Sequence, residues 1–163
     1  MEQVSFFRAS FPSLVNRRVA RWTALQVSAI ATLGAVGVSP ALLSIFLLVD
    51  FALRSLLGPN ASVLVHAGRS IFRFTAKRFG VSEELASIRP ARFAWLCGLL
   101  FSLLAVAGVF SGQALLTSIA LGTLALFSGL EALFGFCVAC YMFGWAQRFG
   151  WISPDVCVDC RRP

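Results

Sequence analysis

The chain has 163 residues, 58% of them hydrophobic and only 13% charged, with a mean hydropathy of +0.83. Soluble domains carry about 25% charged residues, so the composition argues against a water-soluble globule. The net charge of +7, from fourteen basic against seven acidic residues, suits nucleic acid or an anionic membrane surface, and the hydropathy selects the membrane over nucleic acid.

The first segment is basic, with Arg8, Arg17, Arg18 and Arg21, and leads into an apolar run at about 22–39. That run is longer than the apolar region of a signal peptide and no A-x-A cleavage site follows it, which favours a retained span. Further runs follow at about 41–57, 93–110 and 114–140. A hydrocarbon core of about 30 Å takes about 17 to 25 helical residues, and in lipid each run must satisfy its own backbone, so helix is expected throughout. The expectation is an all-α polytopic membrane protein. It is a four-transmembrane-helix bundle forming one domain over 1–163, with a cytoplasmic tail at 146–163.

The loop from Gly58 to Arg92 contains its own helical pattern. Between Ala61 and Phe79, Arg69, Arg73 and Lys77 recur every four residues opposite Leu64, Ala67, Ile71, Thr75 and Phe79, which predicts an interfacial amphipathic helix between spans two and three. Its basic face would meet anionic lipid heads, with docking of a soluble partner as the alternative. His66 in this segment is assigned no role.

Every basic residue except Arg54 lies in the N-terminal segment, this middle loop or the tail, whereas the tight hairpins near Pro40 and Ser111-Gly112-Gln113 carry none. The positive-inside rule then puts both termini and the long loop in the cytoplasm of a cell membrane. Trp22, Trp95 and Trp145 fall at the same ends, where indoles favour the headgroup layer.

Asp50 and Arg54 are four apart in the second run and share a helix face. Glu131 of the fourth run lies at similar depth, so the three form a candidate intramembrane charge cluster. It reads either as an ion or solute site or as a cross-helix clamp. Gly34, Gly37, Gly98, Gly108, Gly122, Gly129 and the Gly135 to Ala139 spacing read as close helix packing.

Four of the five cysteines form two C-x-x-C pairs, Cys137-Val-Ala-Cys140 and Cys157-Val-Asp-Cys160, sixteen residues apart. One reading is a redox or persulfide-carrying dithiol, with exchange between the two pairs. Another is a four-cysteine zinc site on Cys137, Cys140, Cys157 and Cys160. A third is simple packing with an unstructured tail. Cys97 in the third run is placed to approach Cys137. Glu131, six residues before Cys137, would face about 120° away and sit about 9 Å deeper on one continuous helix, so reuniting them requires a break near Gly135.

The segment Leu130-Glu131-Ala132-Leu133-Phe134-Gly135-Phe136-Cys137-Val138-Ala139-Cys140-Tyr141-Met142 resembles an uncharacterised family of bacterial four-span membrane proteins, a domain of unknown function. Arg89-Pro90-Ala91-Arg92-Phe93-Ala94 and the stretch from Asp50 to Pro59 are similar too. The resemblance runs from about Trp22 to Trp145 and implies a bacterial cytoplasmic membrane location. Through gene neighbourhoods it also implies a loose association with thiol-redox or sulfurtransferase chemistry. The chain departs from that pattern at Tyr141, where an acidic residue is common, and in its tail pair. The leading expectation is a thiol-redox or sulfur-handling membrane protein, a thiol-disulfide oxidoreductase or sulfur-transfer component. Its partners are the lipid bilayer and a soluble thioredoxin-like or sulfurtransferase protein. No cofactor belongs to that reading. The alternatives are a transporter using Asp50, Arg54 and Glu131, and a non-catalytic protein with zinc on its four paired cysteines.

Overall fold

A computed structural model describes residues 14–149. In chain order these form β1 (Leu14–Asn16), α1 (Arg17–Ala35), α2 (Pro40–Leu56), a 3-10 turn (Pro59–Ala61), α3 (Val63–Phe79), β2 (Leu85–Ser87), α4 (Ile88–Phe110), α5 (Ala114–Phe134) and α6 (Val138–Arg148). The architecture is helical apart from β1 and β2, which pair antiparallel with Leu14 opposite Ser87. That ribbon has no counterpart in the sequence reading.

The helix boundaries have local causes. The Asn16 side chain accepts from the Arg18 amide at 3.0 Å and starts α1, while Pro40 occupies the first turn of α2, where a missing amide proton costs nothing. Ser62 caps α3 by accepting from Val65 N at 3.1 Å, and Gly80 closes that helix in a left-handed conformation.

Four helices close a ring in which α1 packs on α5, α5 on α4, α4 on α2 and α2 on α1. Three polar ties run down the α1–α5 seam at seven-residue steps. Arg21 donates to the carbonyl of Ala132 at 3.1 Å, Ser28 to that of Ala125 at 2.9 Å, and Ser118 to that of Ala35 at 3.1 Å. The residue numbers rise on one helix as they fall on the other, so the pair is antiparallel. Between the helices lies a core of Val27, Ala31, Leu47, Phe51, Leu64, Ala105, Ala120, Leu121 and Leu124. A Cβ at Gly98 would collide with the ring of Phe51, so that glycine sets the distance between α2 and α4.

Two helices are long and apolar enough to cross a membrane, Pro90–Phe110 and Ala114–Phe134, and only 28% and 22% of their apolar windows are buried inside the protein. A core helix of a soluble protein hides most of its surface. Here Leu100, Leu115 and Leu126 are 55%, 74% and 60% exposed.

Two expectations change. The run read as a single span over 114–140 is two helices, because Gly135 adopts φ +67° and ends α5 one residue after Phe134. The middle-loop helix forms, but its buried stripe is Leu64, Val65, Gly68 and Phe72, about one residue out of phase with the face expected from the sequence. Gly68 lies against Thr23 and the carbonyl of Val19, which draws α3 onto α1 and leaves Phe74 76% exposed on the outer side.

Candidate functional site

The break at Gly135 brings two arginines of α1 and the Cys137–Cys140 pair to one corner of the molecule. Arg17 donates to the Gly135 carbonyl at 3.2 Å, and Arg21 to the carbonyls of Ala132 and Leu133 at 3.1 and 3.0 Å. Cations at a helix C-terminus complement its dipole and its unpaired carbonyls. Two arginines of α1 therefore hold α5 in the position where it stops.

Past the break, Cys137 stands immediately before α6, and its carbonyl accepts from Tyr141 N at 3.1 Å in the first helical turn. The Cys140 amide donates to the Cys137 sulfur at 3.2 Å. Three residues of turn bring the two Cα atoms to 5.1 Å, with the sulfurs of Cys137 and Cys140 paired as a disulfide. A helix N-terminus favours negative charge, and Cys137 stands at that of α6.

Cys137 borders a cavity of about 320 Å³, whose wall also includes Arg54, Arg69, Cys97 and Glu131 together with Val27, Phe51, Trp95, Phe101 and Phe127. Glu131 and Cys137, which a continuous helix would have kept apart, thus share one space. Both Arg54 and Arg17 attract the Glu131 carboxylate electrostatically, yet no hydrogen bond reaches that carboxyl among the described residues. Cys97, half-buried and unbridged, reaches the same cavity from α4.

Asp50 and Arg54 behave differently. They form a buried ion pair on α2, and the Ser62 hydroxyl joins it, accepting from Arg54 Nε at 3.0 Å and donating to Asp50 Oδ1 at 2.7 Å. The backbone amide of Leu64 adds a bond to Asp50 Oδ1 at 3.4 Å. Ser62 is the member that sequence reading missed; its place three residues before Val65 marks a helix cap, but nothing in the spacing shows that the cap also serves α2. The cluster joins the start of α3 to α2. Glu131 is not part of that bonded set, although it and Arg54 line the same cavity.

No cluster of three or more His, Cys, Asp or Glu side chains suited to a metal occurs among the described residues. Cys157 and Cys160, half of the zinc reading and of the two-pair exchange, lie outside the described residues.

A family model matches residues 15–148, from β1 to the last residue of α6. The chain belongs to the family described as a domain of unknown function, DUF4395. No curated protein and no solved structure matches the chain. The DUF4395 match contains the charge cluster, the cavity, Cys97 and the Cys137–Cys140 pair, whereas the tail pair at 157 and 160 falls beyond it.

Proposed function

We propose that this protein is a four-span membrane protein whose Cys137–Cys140 pair is a thiol-disulfide centre at the cytoplasmic face. The observation that carries the chemistry is the pairing of these two sulfurs at the N-terminus of α6, beside a cavity. In operation, an incoming thiolate attacks one sulfur of the pair, the bond between them breaks, and the other sulfur leaves as a thiolate. A second thiol of the same reductant resolves the mixed disulfide. The pair has then gained two electrons and the incoming dithiol has become a disulfide. The tail dithiol Cys157–Cys160 is the intramolecular candidate for that reductant, and a soluble thioredoxin-like or sulfurtransferase protein the external one.

The membrane placement rests on length, apolarity and charge. At about 1.5 Å per residue, α1 and α2 are about 28 and 25 Å long, comparable with a bilayer core of about 30 Å. Together with α4 and α5 they complete a closed ring with apolar exteriors. One end of that ring has the short uncharged hairpins, while the other gathers Arg17, Arg18, Arg21 and the basic residues of α3. The positive-inside rule makes the second end cytoplasmic, and the cysteine pair lies there.

Metal analysis of purified full-length protein, paired with mass spectrometry of its thiol state, tests this reading against the zinc alternative. The expected result is metal-free protein in which Cys137 and Cys140 interconvert between thiols and a disulfide. About one zinc per chain with four unoxidised cysteines, the composition of a closed thiolate site, would overturn it. An impermeant thiol reagent applied outside sealed right-side-out vesicles checks orientation. Cys160 should resist it, and ready labelling contradicts a cytoplasmic tail.

A further inference from the structure

The cavity beside Cys137 contains a third sulfur whose position has a register argument behind it. The α4–α5 hairpin is antiparallel, and the rings of Phe101 and Phe127 meet edge-on across it with centroids 6.2 Å apart. One turn further toward the basic end, four residues back on α4 and four residues on along α5, stand Cys97 and Glu131. The same step on both helices keeps both residues on the shared seam. Cys97 and Glu131 are thus opposed across the hairpin, and both line the cavity that Cys137 also lines. Glu131 is half-buried at the cavity wall. Helix α6, with the disulfide at its start, packs on α4 itself. Cys140 is not part of the cavity wall.

We infer that Cys97 is the third thiol of the site, exchanging with the Cys137–Cys140 disulfide from the cavity side after giving its proton to Glu131. The inference rests on the thiol-disulfide reading above. The step is balanced without an external oxidant. The Cys97 thiol transfers its proton to the Glu131 carboxylate; the resulting thiolate attacks Cys137 Sγ; a Cys97–Cys137 bond forms as the Cys137–Cys140 bond breaks; and Cys140 leaves as a thiolate. Cys137 is the central sulfur, reached from one side by Cys140 and from the other by Cys97. The exchange frees Cys140, the sulfur away from the cavity, for the next thiol partner. The charged groups around the proton acceptor are Arg54 from α2, Arg17 from α1 and Arg69 from α3, the first two acting on it electrostatically and the third sharing its cavity.

The test uses full-length protein in lipid nanodiscs with Cys157→Ser and Cys160→Ser, so that only three cysteines remain. Cys140→Ser or Cys137→Ser is then added, and each protein is equilibrated with oxidised glutathione, alkylated and digested with chymotrypsin. That protease separates Cys97 from the segment between Phe136 and Tyr141. Cys140→Ser should yield a peptide linked through Cys97 and Cys137, at least roughly tenfold more than the Cys97–Cys140 link in Cys137→Ser, as cavity-side access to position 137 requires. Equal yields, or no link in either variant, overturn the inference. With all three cysteines present, reversible formation of the Cys137–Cys140 bond but no Cys97 link overturns the inference alone, whereas absence of every disulfide overturns the underlying reading as well. Glu131→Gln should slow link formation roughly tenfold at neutral pH, a modest share of what a positioned proton acceptor supplies. Raising the pH toward about 8.5, where a free thiol ionises unaided, should restore the rate. A rate unchanged by Glu131→Gln at every pH removes Glu131 from the step.

Discussion

Two polar groups of residues sit in the same helical bundle and are built in opposite ways. Around Asp50, Arg54 and Ser62, the charged atoms of the pair face each other and a hydroxyl bridges them, with Asp50 and Arg54 only 3% and 4% exposed. Around Glu131, Cys97 and Cys137, a carboxyl with no hydrogen bond among the described residues and the unbridged Cys97 thiol line one cavity with the disulfide-bonded Cys137. Burial of charge is costly unless partners complete its bonding, and in the first group the bonds among Asp50, Arg54 and Ser62 tie the start of α3 to α2. The second sets an unbridged thiol and a carboxyl beside a disulfide at one cavity. A cavity that gathers a few polar groups is where a binding or reacting site is sought first.

The contrast breaks most visibly at Asp50. Asp50→Ala strands a buried guanidinium and should destabilise the protein by about 3–5 kcal/mol, measured as loss of folded protein in thermal unfolding in detergent. The double change Asp50→Leu with Arg54→Met should recover most of that loss, since a buried pair replaced by apolar side chains is often neutral; a double variant as unstable as the single one would show that the charges serve more than each other. Ser62→Ala removes the bridging hydroxyl and the α3 cap together and should cost about 1–3 kcal/mol, read in the same unfolding assay. At the other group, Glu131→Gln breaks no hydrogen bond and removes a charge, so stability should stay level or rise. A fall comparable to that of Ser62→Ala would mean the carboxyl is a structural partner after all.

Much of the helical plan was legible because long apolar runs record helices directly. The hairpin at Ser111-Gly112-Gln113, the helical middle loop and the Asp50–Arg54 pairing all follow from short-range spacing. What sequence reading missed is long-range or conformational. The apolar run continues through Phe134, Phe136 and Val138, so hydropathy hides the stop at Gly135, although glycine just past a helix end is itself a stop signal. In sequence Arg17 and Arg21 are only part of a basic segment that sets topology; their hydrogen bonds to the end of α5 depend on which helices become neighbours. The apolar pattern of α3 points to Ile71 and Phe79 opposite the basic face, whereas the contact with α1 is made around a glycine, Gly68, against Thr23 and the carbonyl of Val19. The candidate site suffered most from the first omission, since only the break brings Glu131 and Cys137 to one cavity.

The central claim is that Cys137 and Cys140 form a working redox couple, and a redox titration tests it most directly. Full-length protein in nanodiscs, with Cys157→Ser and Cys160→Ser, is equilibrated across glutathione buffers of increasing oxidation, and the alkylation of each remaining cysteine is counted by mass spectrometry. The account predicts that Cys137 and Cys140 lose reactivity together in a single two-electron transition, about 30 mV for each tenfold change in the oxidised-to-reduced ratio, and regain it on reduction. Cysteines that stay alkylatable at every potential, or that oxidise one at a time without forming the pair, contradict it.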